Sequence, residues 1–282
     1  MHYEIINRAA PDNADWAPMV ARAKANAAQV IGLQNAQQFT KILAQAGLTG
    51  GTVVDLVAGR HYDPAGYRFF NDVPVPTGAK VNMYQDGSIY VEDAGDPIAR
   101  EYLFPNTRRA VQDIRYVNDD GSLDFIQEFA PDGKHYSDIY YYNNDIQEID
   151  FYNDADAAVV RYFFYNKVIN YITIEDPQTH EVIAHYPTIN TFLSAQIGQL
   201  VSAEDVVTIG YLGIELDVLA QTQSHNVLRM NESPFDEEGR VRGNLADILT
   251  NKVSYVHEVW VSLDEYEQLK QAGMPLTKLR VK

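Results

Sequence analysis

Turn signals recur at a nearly constant step through the middle of the chain, and few folds can follow that rhythm. Gln85-Asp86-Gly87, Asp119-Asp120-Gly121, Pro131-Asp132-Gly133, Asn143-Asn144-Asp145 and Asp154-Ala155-Asp156 each combine residues that favour tight reversal. Gly121 and Gly133 are twelve residues apart, and the next two turns keep a similar step. Between the turns lie residues 123–129, 136–142, 146–152, 159–165 and 168–174, each a strand long and rich in aromatic or β-branched residues. The pattern predicts an antiparallel meander, hairpin after hairpin, from about residue 67. Alternation puts Ile146, Glu148, Asp150 and Tyr152 on one face, with Gln147, Ile149 and Phe151 on the other. Neither face is purely polar. The sheet is therefore expected to keep a partly apolar surface after its core face is packed, and such a surface needs a partner.

The flanks have a different texture. Trp16, Met19, Val20, Ala23, Ala27, Val30 and Ile31 recur at helical steps after a cap at Asp12 or Asn13. A second helix is expected from Asn35, with Phe39, Ile42, Leu43 and Ala46 on one side and Gly47 as its stop. Residues 52–57 read as a short buried strand. After Pro187, helices at 190–201, 214–221, 243–249 and 263–272 alternate with strands at 205–209, 226–230, 255–261 and 278–281. Such alternation implies a parallel sheet with crossover helices. The expected architecture is an α/β domain from residues 1–66 and 187–282, carrying an inserted antiparallel β-meander domain at 67–186.

Composition removes several kinds of function. There is no cysteine, so disulfides, thiolate metal sites and a cysteine nucleophile are excluded. With 22 basic and 39 acidic residues the net charge is −17, a field that repels nucleic acid and anionic lipid headgroups. The N-terminus has no charged segment followed by an apolar run, and no stretch reaches the roughly 18 apolar residues of a spanning helix. The expectation is a cytoplasmic protein, peripheral to the inner face of the membrane at most.

The search for chemistry comes up empty. Gly210-Tyr211-Leu212-Gly213 lies between a strand and a helix, but it lacks a three-glycine fingerprint and a lysine, and Glu215 and Asp217 would repel phosphate. A tight strand-to-helix turn accounts for it. His180 and His185 are five residues apart, which on a helix splays them by about 140° and on a strand points them to opposite faces. Asp154-Ala155-Asp156 sits where a hairpin turn favours aspartate for its geometry alone. No catalytic, cofactor-binding or metal-binding residue is expected. What remains is aromatic: Tyr140-Tyr141-Tyr142 and Tyr162-Phe163-Phe164-Tyr165. Most of these side chains serve sheet packing. Tyr140, Tyr142, Tyr152, Phe163 and Tyr165 would share a face and are the candidates for a partner surface.

Several segments resemble the accessory Sec system glycosylation chaperones (GtfB type) of Gram-positive bacteria. They are Arg68-Phe69-Phe70-Asn71-Asp72-Val73-Pro74-Val75-Pro76, the meander around 116–121, 129–133 and 140–152, and above all Leu228-Arg229-Met230-Asn231-Glu232-Ser233-Pro234. The last is followed by Gly243-Asn244-Leu245-Ala246-Asp247-Ile248-Leu249. The resemblance covers roughly residues 65 to 280. It implies a GT-B-like glycosyltransferase fold of two Rossmann-like domains, with an extended β-sheet domain inserted in the first. The chain stops at Lys282, near where the second such domain would begin, so that domain is expected to be absent. By the same resemblance the protein is a non-catalytic subunit that binds and stabilises a catalytic glycosyltransferase. It helps bind the serine-rich-repeat adhesin acceptor for O-linked N-acetylglucosamine transfer before export. The rival reading is the N-terminal part of an active retaining UDP-sugar glycosyltransferase. The family's catalytic members carry two glutamates eight residues apart, and no such pair stands here in a suitable context.

Overall fold

The computed structural model describes residues 1–48, 53–105 and 107–282. In chain order it begins with β1 (His2–Ile6), α1 (Trp16–Ala25), β2 (Gln29–Gly32), α2 (Phe39–Gln45) and β3 (Val53–Val54). Ten strands follow: β4 (Lys80–Met83), β5 (Ile89–Asp93), β6 (Asp96–Leu103), β7 (Val111–Val117), β8 (Leu123–Phe129), β9 (His135–Tyr142), β10 (Asp145–Tyr152), β11 (Ala158–Tyr165), β12 (Val168–Glu175) and β13 (Val182–Tyr186). The chain closes with α3 (Ile189–Leu200), β14 (Val206–Ile209), α4 (Ile214–Asp217), β15 (His225–Arg229), α5 (Gly243–Leu249), β16 (Glu258–Val261), α6 (Leu263–Gln271) and β17 (Leu279–Val281). Two compact units result: Met1–Asn35, Ile42–Leu56 and Asn190–Lys282 form one, and Ala36–Lys41 with Val57–Ile189 form the other.

The first unit is a parallel sheet in the order β17-β16-β15-β14-β1-β2-β3. That is a doubly wound order, with the direction of winding reversing between β1 and β14. Val207, Ile209, Leu228, Val259 and Val261 are buried, as strands covered by helices on both faces require. Two corrections to the sequence reading lie here. The helical period of 16–31 runs on past the helix, which ends at Ala25. The backbone turns at Ala27, with φ of 48°. Val30 and Ile31 then lie fully buried in β2, where β-branched side chains fit the pleat. Further on, regular helix after Gly213 stops at Asp217 rather than Gln221, and residues 219–222 continue as tight turns of the i to i−3 type. Of the strand expected at 52–57, Thr52 lies outside the described residues and Val53–Val54 are paired with β2.

The second unit is an antiparallel sheet of ten strands in strict sequence order, β4 to β13. Its turns explain the spacing seen in sequence. Asn143-Asn144, Asn166-Lys167 and Ala94-Gly95 are two-residue loops with positive φ at both positions, the geometry that matches the twist of adjoining strands. Gly133 has a second constraint besides its φ of 80°. A Cβ there would fall 2.3 Å from the carbonyl carbon of Tyr67 and 2.4 Å from the nitrogen of Arg68. One core cluster joins Val73, Val91, Ala99, Val111, Ile114 and Phe129. On another part of the sheet Tyr136, Phe151 and Tyr162 are buried in successive edge-to-face contacts, with ring centroids 5.9 and 5.0 Å apart.

Candidate functional site

Each unit carries one candidate surface. In the antiparallel sheet, the register aligns Tyr116, Phe125, Tyr140, Glu148, Phe163 and Tyr171 in one line across β7 to β12. Ring centroids along the line lie 4.3 Å apart for Tyr116 and Phe125, 5.9 Å for Phe125 and Tyr140, and 6.0 Å for Phe163 and Tyr171. The rings form a cross-strand aromatic row, interrupted by Glu148. Of the five residues picked out by sequence, Tyr140, Tyr142 and Tyr165 are exposed, the last two at 69% and next to hairpin turns. Phe163 and Tyr152 are half-buried. Tyr152 is tied down: its ring stacks on His135 at 3.7 Å, and its hydroxyl donates to Asp138 at 2.7 Å. Burial and that carboxylate push its phenol well above the ordinary range. Tyr116, Phe125 and Tyr171 were not singled out in sequence. Pairing counted outward from the Asn166-Lys167 turn puts Asn170 opposite Phe163, and only a bulge in the pairing of β11 with β12 brings Tyr171 there instead.

Beside the aromatic row runs a polar one, Gln127, Asp138, Asp150, Arg161 and Thr173. Arg161 donates to Glu148 at 3.0 Å and to Asp150 at 2.6 Å, and pairs with Glu175 at 2.9 Å. One guanidinium thus faces three carboxylates. Burial, with Glu148 and Asp138 adding to it, raises the Asp150 carboxyl despite Arg161. On the same face Glu101 is fully buried, and neither of its oxygens has a hydrogen-bond partner among the described residues.

The α/β unit carries a cleft of about 490 Å³ lying past the carboxyl ends of β1, β14 and β15. This is the switch point of the sheet, where doubly wound proteins bind ligands. The Gly210-Tyr211-Leu212-Gly213 turn forms part of its wall. Inside it, Glu215 is buried, and its carboxylate accepts the backbone N–H groups of Asn7 at 3.0 Å, Gly210 at 2.9 Å and Tyr211 at 3.1 Å. Leu212 N–H donates to Glu232 at 3.0 Å. Burial raises the Glu215 carboxyl, against the lowering effect of those three donors. Asp15 accepts from the Tyr211 hydroxyl at 2.9 Å and from the Asn231 amide at 3.0 Å. Burial and Asp15 push the Tyr211 phenol up to about 12. Arg22 forks onto Glu4 at 2.7 and 2.8 Å. The cleft therefore presents carboxylates whose donors are already spent within the chain. Sequence reasoning placed Glu215 there as a repellent, but could not see that the backbone had been folded around it.

The remaining motifs are structural. His180 occupies a turn with φ of 59°, while His185 lies in β13. Asp154 accepts from Lys134 at 2.8 Å and from the backbone of His61 at 3.1 Å, and Asp156 lies 3.0 Å from the His135 ring. Among the described residues no group of three or more His, Asp or Glu side chains could hold a metal ion. No described helix is long and apolar enough to cross a membrane.

Neither a family model nor a curated protein matches the sequence. Solved structures do match it. The chain is similar to the pneumococcal O-GlcNAc transferase GtfA, solved in complex with UDP and GlcNAc, with a TM-score of 0.77 and 16% identity over 100% of this chain and 59% of that one. It is similar to a chain of accessory secretory protein 1, 2 and 3 in Streptococcus pneumoniae, with a TM-score of 0.74 and 11% identity over 100% and 61%. It also matches a chain of the GtfA/B complex, with a TM-score of 0.72 and 13% identity over 99% and 60%. The chain spans about three fifths of the length of these solved chains. The likeness anticipated from the sequence is met at the level of fold: a parallel α/β unit and a large antiparallel sheet, arranged along the chain as in a glycosyltransferase and in accessory secretory proteins.

Proposed function

We propose that the chain is a non-catalytic subunit of a protein-glycosylating complex at the accessory Sec pathway. It binds and stabilises a catalytic glycosyltransferase and helps hold a serine-rich-repeat acceptor for O-linked N-acetylglucosamine transfer. It works in the cytoplasm and reaches the membrane, if at all, through its complex. The observation that carries the reading is the fold shared over the whole chain, antiparallel sheet included, with a chain of a two-protein transferase complex. The exposed Tyr140, Tyr142 and Tyr165, continued by Phe163 and Tyr171, supply a partner surface on that sheet. The carboxylates Glu4, Asp15, Glu215 and Glu232 in the switch-point cleft speak against a sugar nucleotide there.

The second reading, a portion of an active UDP-sugar transferase, is favoured by the TM-score of 0.77 with GtfA itself. One pair of measurements separates them. Affinity capture from native cytosol should return one dominant glycosyltransferase, and titration with UDP-N-acetylglucosamine should show neither binding nor hydrolysis. Hydrolysis by the isolated chain, with no transferase captured, would reverse the assignment.

A further inference from the structure

We propose that Glu215 is a built-in anion, a specificity-determining residue whose carboxylate fills a backbone cradle that would otherwise take phosphate. The cradle is assembled from two separate segments. Asn7 follows β1 and donates to one carboxylate oxygen; Gly210 and Tyr211 follow β14 and both donate to the other. Three N–H groups converging past the ends of two neighbouring strands at a switch point are the arrangement by which backbone nests hold phosphate and other anions. Here the anion is covalently part of the chain and 97% buried, since Glu215 is 3% exposed.

Glu215 is more than a loop tether. A neutral side chain could bridge two loops with one or two hydrogen bonds. Three donors on one carboxylate instead match its charge, and Leu212 N–H is taken in the same manner by Glu232. The room beside the cradle is also large enough for a ligand. The cleft thus selects against phosphorylated ligands, nucleotides included, by occupying their donors and by charge. It leaves uncharged or cationic groups as its admissible occupants. This inference deepens the non-catalytic reading and rests on it only for its biological purpose.

The test is rescue by anions. Wild-type protein, Glu215→Ala and Glu215→Gln are melted in increasing inorganic phosphate or acetate, with ionic strength held constant by sodium chloride. Glu215→Ala should melt lower than wild type, and phosphate should restore several degrees in a saturable manner, as binding to the folded state requires. Wild type should not respond, because its cradle is filled. Glu215→Gln keeps the bulk but not the charge, and should be destabilised without rescue. If Glu215→Ala does not fold in chloride, refolding in phosphate replaces the melt, and recovery of folded protein only with phosphate gives the same support. Absence of rescue by phosphate in Glu215→Ala, rescue by acetate alone, or an equal phosphate response in wild type would each overturn the proposal. Capture of a transferase partner is read separately, so failure of that reading is distinguishable from failure of the cradle.

Discussion

Replacing Glu101 with glutamine removes one proton-binding site from the antiparallel sheet while keeping its shape. The side chain is fully buried, and burial alone raises its carboxyl from 4.5 to about 7. Between those values the folded protein holds a proton that the unfolded chain releases, so stability falls as pH rises through the window. At about 1.4 kcal/mol per pH unit, the full cost of ionising Glu101 is about 3 kcal/mol above pH 8, most of it developing between pH 5 and pH 8. Glutamine imitates the protonated acid and cannot ionise. Urea denaturation of wild type and Glu101→Gln at pH 5, 6, 7 and 8 should therefore give curves that separate with pH, the variant gaining about 2.5 kcal/mol on wild type across the series. The nearby Tyr116 phenol, itself raised by burial first and then by Glu101, should titrate at lower pH in the variant. A difference between the two proteins that is constant within about 0.5 kcal/mol, or that changes in the opposite direction, refutes the reasoning.

Arg161→Met leaves Glu148, Asp150 and Glu175 without the guanidinium they share, and should cost about 3 kcal/mol in a denaturant titration at pH 7. A loss below about 1 kcal/mol would show that the carboxylates are solvated well enough without it. Tyr142→Ala combined with Tyr165→Ala removes two rings that are each 69% exposed, so melting should hardly move while affinity for the captured transferase falls at least tenfold. Unchanged affinity with an intact fold would remove this part of the sheet from the interface. Gly133→Ala and Gly121→Ala form a matched pair: φ is 80° and 79°, but only Gly133 has backbone atoms within 3 Å of a new Cβ. Gly121→Ala should lose about 1 to 2 kcal/mol for its backbone conformation, and Gly133→Ala markedly more. Equal losses would mean that the Tyr67 and Arg68 backbone yields freely.

The antiparallel sheet was legible because it is local. Asn143-Asn144 and the glycine turns encode reversal within four residues, and the runs from 123 to 174 fall within a residue or so of β8 to β12. The strands of the C-terminal half were legible as well, but at the N-terminus distant partners decide what the local pattern does not show. β1 (His2–Ile6) carries Glu4 at its centre, which breaks any apolar run, and the fork from Arg22, with Arg229 adding its charge, makes that carboxylate tolerable inside a sheet. Val30 and Ile31 continued a helical period that their partners in β1 override. The same holds for the candidate surfaces. Alternation identified Tyr140, Tyr142 and Tyr165, whereas the cradle around Glu215 unites residues 208 positions apart and left no trace in spacing.

The order in which the strands are joined has a consequence for the newborn chain. Every strand from β4 to β13 finds its partner within the next hairpin, so this sheet can form while the ribosome is still translating. β1 must wait for β14: His2 pairs with Val206, and neither strand can be replaced by a local neighbour on that side. At about 5 to 20 residues per second, the wait is about 10 to 40 seconds. During it the edge of β1 that β14 will cover stands open, although every strand of the antiparallel sheet has already been made. Holdase binding and early aggregation should therefore map to the first 35 residues, and slowing translation just before residue 206 should lengthen that exposure.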